Sequence, residues 1–141
     1  MCMSTPGASV ELPATAKAAA EARTFAHDAL CREHGQDAEG AVRLLASELV
    51  THTLRHGTPP IVMSLECEET EIRLEVRDQG HDRSLPDGPY RELSLLLIDK
   101  VSRDWGVEET EQGTVFWCTI PTGTLPRRPQ RRRRGSRRLT A

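Results

Sequence analysis

The sequence predicts an α/β fold, a two-layer sandwich in which helices cover one face of a mixed, mainly antiparallel sheet. Three observations support this prediction. Two amphipathic helical patterns come first, two alternating strand patterns with a short polar connection follow, and one more helix and strand end the order. Helices and strands do not alternate one for one, which argues against a parallel doubly wound sheet. The 141 residues fit one domain.

The first half of the chain carries the two helical patterns. Apolar residues three and four positions apart predict a helix from Ala16 to His34, which Gly35 is placed to end. The same spacing predicts a second helix from about Ala38 to His56, before Gly57. The apolar stripe of this second helix consists of Ala41, Leu44, Leu45 and Leu49.

Strand patterns come before and after the helices. Val10 to Leu12 is expected to be a short edge strand. Ile61 to Cys67 and Ile72 to Val76 alternate apolar with polar residues, which predicts an antiparallel hairpin. Asp78 continues the inward register of the second strand, and Thr114 to Ile120 is predicted to be a third strand.

A polar loop and a helix are predicted between the hairpin and the last strand. The loop runs from Gln79 to Pro89, and long loops in compact domains are often functional or mobile. Leu93 to Val101 is apolar enough for a buried helix.

Charge is distributed very unevenly along the chain. The net charge is −2, but eight arginines and no acidic residue follow Pro126, so residues 1–125 carry −10 and the tail +8. So dense a run of charge cannot form a core by itself. We therefore expect a flexible leader at 1–9, a folded domain at 10–125 and a disordered arginine-rich tail at 126–141.

The cysteines and the absence of long apolar runs bear on localisation. The four cysteines form no C-x-x-C pair, no stretch of 18 apolar residues is present, and no secretory signal is recognisable. The sequence thus predicts reduced thiols in a cytoplasmic protein without a membrane span.

Two acidic positions could carry chemistry. Glu48 and His52 are four residues apart and share the core-facing side of the second helix. They form either an internal hydrogen bond or part of a site. Asp78, before Gly80, is either the floor of a pocket or a strand-ending residue that starts a turn.

Together these segments resemble a known family. ELVTHTLRHG (48–57) is similar to the N-box helix of the GHKL ATPase superfamily, in the form found in bacterial anti-sigma-factor serine/threonine kinases. VRDQG (76–80) is similar to the next box, and WGV (105–107) with Gly113-Thr114 resembles the closing segment. The resemblance covers roughly residues 10–121 and implies the Bergerat-type ATP-binding fold.

The resemblance also implies roles for particular residues. Glu48 would be the general base or water-positioning carboxylate. Asp78 would read the adenine amino group, with Gly80 beside the ring and Thr114 supporting Asp78. ATP and Mg²⁺ would be the cofactors, and a phosphoryl group would pass to an anti-anti-sigma (STAS-type) protein. The same surface would sequester a sigma factor and so regulate transcription, and homodimers are common in the family.

The sequence departs from the family at two of its motifs. His52 stands at the Mg²⁺-binding asparagine of the N-box, although Mg²⁺ prefers oxygen ligands. Glu92 and Ser94 stand at the glycines of the phosphate-binding G-x-G-L motif, and Ser94 could still donate a hydrogen bond. A catalytically inactive, protein-binding member of the family is therefore an open alternative to an active kinase.

Two further alternatives come from outside this family. The arginine-rich tail could bind nucleic acid through salt-dependent phosphate contacts. Glu48, His52 and His56 follow one another at four-residue intervals on one helix face and could bind a metal, although one helix rarely supplies three ligands.

Overall fold

A six-stranded sheet with helices packed on one face forms the molecule. The computed structural model describes residues 7–80, 89–122 and 136–139. The strand order is β1-β2-β3-β5-β4-β6. The strands are β1 (Ala8–Leu12), β2 (Ile61–Cys67), β3 (Glu71–Asp78), β4 (Asp104–Thr110), β5 (Gly113–Pro121) and β6 (Ser136–Leu139). The helices are α1 (Ala18–Ala29), α2 (Arg32–His56) and α3 (Pro89–Val101).

Sheet pairing confirms the predicted fold class. β1 to β5 pair antiparallel with their neighbours, and only β6 runs parallel to its neighbour β4. The alternation in β2 and β3 sets their registers, because every second residue faces the helices. The buried residues of these two strands are Ile61, Met63, Leu65, Cys67, Ile72, Leu74, Val76 and Asp78.

Close packing of α1 on α2 depends on small side chains. Ala18, Ala22 and Ala26 repeat every four residues on α1, and all three are fully buried. Alanine at these positions lets the two helices approach closely, and α2 in turn lies over β3 and β5. The core is therefore a single cluster between this helical layer and the inner face of the sheet.

The boundary between the first two helices differs from the prediction. α1 ends at Ala29, Leu30 and Cys31 are extended, and α2 begins at Arg32, so Gly35 lies inside α2. Periodicity alone favoured one helix through His34. Packing overrides it, because Leu30 and Cys31 turn the chain so that their side chains reach the core.

The inward stripe of α2 also differs from the prediction. Leu44 is 38% exposed, whereas Leu45 is completely buried. The stripe is rotated toward Val42, Ala46 and Val50, which are fully buried as well. The choice of Leu44 was wrong because the helix is covered by α1 as well as by the sheet, and these two surfaces together define its buried side.

The second half of the chain contains more regular structure than predicted. α3 begins at Pro89 and not at Leu93, and proline is well suited to the first turn of a helix. β4 was not predicted as a strand at all. Its inward residues Trp105 and Val107 alternate with Gly106 and Glu108, a pattern that the polar residues around it obscured.

The two ends of the chain also differ from the expected organisation. β1 begins at Ala8, two residues inside the expected leader. Ser136–Leu139, in the tail that we expected to be disordered, pairs with β4, with Glu108 opposite Arg138 in the register. An open strand edge favours such pairing because it satisfies backbone hydrogen bonds that the tail cannot satisfy alone. Residues 81–88 of the predicted polar loop and residues 123–135 lie outside the described residues.

None of the helices within the described residues is long and apolar enough to cross a membrane.

The rotated stripe of α2 gives a direct stability test. Leu45→Ala should lower the free energy of unfolding by about 2–5 kcal/mol because it leaves a cavity in the core. The neighbouring change Leu44→Ala, on the exposed side, should change it by less than about 0.5 kcal/mol. Urea denaturation of both variants measures this difference, and equal losses would contradict the observed orientation of α2.

Candidate functional site

A buried carboxylate at the end of β3 forms the centre of the candidate site. Asp78 is 1% exposed and faces the helices, as its register predicts. Its Oδ1 accepts a hydrogen bond of 2.6 Å from the backbone N–H of Gly80. Thr114, also buried, is its register partner on β5. The structure thus brings Asp78, Gly80 and Thr114 together at one end of the sheet.

Two glycines allow the backbone to approach Asp78 closely. A side chain at Gly57, the residue after α2, would overlap Oδ2 of Asp78. A side chain at Gly113 would overlap the carbonyl oxygen of Asp78, and Gly113 has a φ of +135°, which L-residues rarely adopt. The sequence placed Gly57 at the end of a helix and of the N-box resemblance, and it indicated no contact of Gly57 or Gly113 with Asp78.

The loop after Asp78 is tied to the segment that follows α2. The N–H of Gln79 donates to the carbonyl oxygen of Thr58 at 2.8 Å. The Thr58 hydroxyl donates to the carbonyl oxygen of Gly80 at 3.0 Å. These two bonds hold the end of β3 against the end of α2. The role of Thr58 had no signal in the sequence, because it depends on contact between distant segments.

Glu48 and His52 extend the site along α2. Glu48 lies half-buried at the border of the inward stripe. His52 is 6% exposed, and its ring meets the ring of Phe116 edge-on, with centroids 5.0 Å apart. Because Phe116 is the register partner of Val76, this contact lies one inward position from Asp78 along the sheet. The imidazole therefore packs on the core beside the carboxylate.

α3 and β4 are joined by a hydrogen bond next to Phe116. The Trp105 indole N–H donates to Oδ1 of Asp99 on α3 at 2.9 Å. The Trp105 ring also lies 5.9 Å from the ring of Phe116, centroid to centroid. Phe116 thus contacts both His52 and Trp105, and it connects the α2 side of the site with the α3 side.

Glu92 and Ser94 lie inside the first turns of α3, and their side chains fall outside the described residues. In an α-helix that begins at Pro89, the N–H of Ser94 donates to a carbonyl within the helix. Only the first few N–H groups are available to an anion, and Pro89 itself has none. The backbone at position 94 thus differs from the open glycine-rich turn that the resemblance implies.

A nucleotide base and Mg²⁺ fit this site unequally. Among the described residues, none would come within 4 Å of a side chain added at Gly80, the residue whose N–H binds Asp78. The amino group of a flat base suits the carboxyl oxygens of Asp78 as acceptors. His52, by contrast, offers an imidazole packed on Phe116 where a hard oxygen ligand is needed. The residues present therefore fit the base and do not fit Mg²⁺.

The described residues contain no group of three or more His, Cys, Asp or Glu side chains that could hold a metal. The alternative of Glu48, His52 and His56 as ligands gains no support from the side chains that are described. The side chain of His56 is not among the described side chains.

Comparison with known proteins agrees with this fold. A family model of the histidine kinase-like ATPase domain matches residues 12–120, so the chain belongs to that family. The match runs from the last residue of β1 to the next-to-last residue of β5 and includes every residue of the candidate site. Membership implies ATP binding, and Mg²⁺ is typical of the family. A search of curated proteins found no match.

Gly113 gives a test of the close approach at Asp78. Gly113→Ala should lower the free energy of unfolding by more than about 2 kcal/mol, because a methyl group would be strained by the positive φ and would overlap Asp78.

Gly40→Ala is the matched control for this variant. Gly40 lies within α2 with open space around it, so alanine should stabilise the protein by about 0.5–1 kcal/mol through helix propensity. Thermal or urea unfolding measures both changes. A neutral Gly113→Ala variant would show that the backbone contact with Asp78 is not required.

Proposed function

We propose that this protein is an ATP-binding regulator similar to anti-sigma-factor serine/threonine kinases, with Asp78 as the residue that reads adenine. One observation carries the proposal. Asp78 is a buried carboxyl group at the end of an inward-facing strand, and no described residue would contact a side chain added at the neighbouring Gly80. Membership of the histidine kinase-like ATPase family supports it.

A base that presents its 6-position to the carboxylate has to be adenine and not guanine. An ionised carboxylate is only an acceptor, so it pairs with the exocyclic amino group of adenine. Guanine has a carbonyl oxygen at that position, which would repel the carboxylate. The Gly80 N–H already fixes Oδ1 at 2.6 Å, so the carboxylate is oriented before a ligand arrives. Thr114 lies opposite Asp78 and supports it in this proposal.

For an active kinase, Glu48 is the residue that we propose to act in phosphoryl transfer. Its position on α2, one turn before His52, puts a half-buried carboxylate on the side of the helix that borders the site. There it would orient the attacking hydroxyl of an anti-anti-sigma (STAS-type) protein and accept its proton. A sigma factor would be the second protein partner, sequestered on the same surface.

A second candidate function is partner binding without catalysis. The helical backbone at position 94 and the packing of His52 on Phe116 both favour it, since neither provides the phosphate and Mg²⁺ contacts of an active kinase. In this case the adenine side would persist as a weak nucleotide site or as part of the protein-binding surface. Binding of nucleic acid by the arginine-rich tail and homodimer formation remain separate proposals.

Asp78→Asn tests the adenine-binding role. The amide replaces an acceptor with a donor, so ATP affinity should fall about tenfold or more, and discrimination against GTP should shrink. Isothermal titration of ATP and GTP into both proteins measures this.

Asp28→Asn, an exposed change on α1, is the matched control and should leave binding unchanged. ATP affinity that is equal in wild type and Asp78→Asn would remove Asp78 from the site. Absence of ATP binding by the wild type up to millimolar concentration would favour the partner-binding function.

His52→Asn tests the Mg²⁺ position. Wild-type ATP affinity should depend little on Mg²⁺, because an imidazole is a poor ligand for this ion. The asparagine variant should gain about tenfold in ATP affinity on addition of Mg²⁺, equivalent to about 1.4 kcal/mol.

His27→Asn on α1, where the side chain is 58% exposed, is the control and should show no such gain. Thermal unfolding of His52→Asn monitors the loss of the contact with Phe116. A strong Mg²⁺ dependence in the wild type would contradict the proposed defect.

A further inference from the structure

Two cysteines meet at the start of α2, far from the candidate site. Cys31 is the residue before α2, and Cys67 is the last residue of β2. The backbone N–H of Cys31 donates to Sγ of Cys67 at 3.3 Å. Neither residue has a place in the proposed nucleotide site, which lies about 20 Å away along β2, at the other end of that strand.

The backbone of Cys31 lies close to the sulfur of Cys67. Since the Cys31 nitrogen lies 3.3 Å from Sγ of Cys67, the Cys31 Cα lies no more than about 4.8 Å from that sulfur. A disulfide requires Cα atoms about 4.4–6.8 Å apart and side chains that can point toward each other. Cys31 is also in extended backbone outside the helix, so rotation about χ1 is not restricted by a preceding helical turn.

The two cysteines differ in their access to solvent. Cys31 is half-buried, while Cys67 is 1% exposed. A small oxidant therefore reaches Cys31 first, and Cys67 is placed to react with the product. The position of Cys31 directly before a helix also favours its reaction as an anion, because the N-terminal end of a helix stabilises negative charge.

We propose that Cys31 and Cys67 form a reversible disulfide when the protein meets a peroxide. The Cys31 thiolate attacks hydrogen peroxide and becomes a sulfenic acid, and the peroxide leaves as hydroxide, which takes up a proton to give water. The Cys67 sulfur then attacks the Cys31 sulfur, the S–S bond forms, and a second water molecule leaves with the Cys67 proton. The two thiols together thus lose two electrons, and these electrons reduce the peroxide to water.

This bond would join the start of α2 to the end of β2. It closes a loop over residues 32–66, which contains the whole of α2 and most of β2. Cross-linking a loop of this length restricts the unfolded chain and should raise the thermal midpoint by on the order of 5–10 °C. The bond forms at the end of β2 that lies away from Asp78. ATP affinity should therefore be the same in both redox states.

Peroxide treatment of the reduced, full-length protein tests the proposal. We expect the intact mass to fall by two hydrogens and unreduced proteolytic digests to contain a Cys31–Cys67 peptide pair. Dithiothreitol should reverse both. The change should raise the thermal midpoint, and Cys31→Ser or Cys67→Ala should abolish the linked peptide.

Cys118→Ala is the matched control, measured in a Cys2→Ser background so that only the described cysteines remain. Cys118 is fully buried on β5, two strands away from Cys67 in the sheet, so it is not placed to react with Cys31, and burial raises the pKa of its thiol. The Cys118→Ala variant should form the disulfide at the wild-type rate.

Three results would overturn the proposal: Cys31 oxidised to sulfinic acid with no linked peptide, Cys31 linked to Cys118 in place of Cys67, or no oxidation of Cys31 at all. The peptide map decides between them in the wild type, so the conclusion does not depend on the folding of any variant. ATP titration of the reduced protein is a separate measurement, and its failure would affect only the proposed nucleotide site.

Discussion

The close approach of three backbone segments at Asp78 is the constraint on which the rest of this structure depends. The segment after α2 meets the carboxylate at Gly57, and the start of β5 meets the backbone of Asp78 at Gly113. Any side chain at either glycine would separate these segments. Once they meet, the direction of α2 across the sheet is fixed at its C-terminal end. This places His52, on the same helix, against Phe116 of the sheet.

This constraint explains how a carboxyl group can lie in the core-facing register. A carboxyl group removed from water needs hydrogen bonds in place of those it loses. The N–H of Gly80 provides one of these at 2.6 Å, and the bonds between Thr58 and residues 79–80 hold that loop in place. The polar end of β3 is therefore stabilised by backbone groups. The acceptor is fixed by the fold, and a ligand would not have to organise it.

The inward and outward faces of the strands were the part of the fold that the sequence predicted best. The alternation along Ile61–Cys67 and from Ile72 to Asp78 assigned the inward face of both strands correctly. It could do so because a shift by one residue would expose every apolar side chain. The helix boundary near Leu30 and the strand β4 were missed. Both depend on contacts between distant segments: Leu30 turns into the core, and Trp105 on β4 packs against Phe116.

The candidate site was predictable to the same extent and for the same reason. Asp78 and His52 were identified because their positions follow from register and helical spacing. Thr58 and the contact of Gly113 with Asp78 were not, because they arise where separate segments meet. The position of Ser94 within a helix that begins at Pro89 was also not predictable from motif spacing, since Leu93 was the first clearly apolar residue there.

The distribution of the core shows which segments the stability of the fold depends on. Among the side chains described for α3, Ile98 is the only one that is completely buried, and Leu95 and Val101 are partly buried. α2, β3 and β5 supply most of the remaining core. Substitutions around Asp78 would disrupt the backbone contacts described above. Gly57 and Gly113 are therefore required by the fold itself, and this requirement holds whether or not a nucleotide binds.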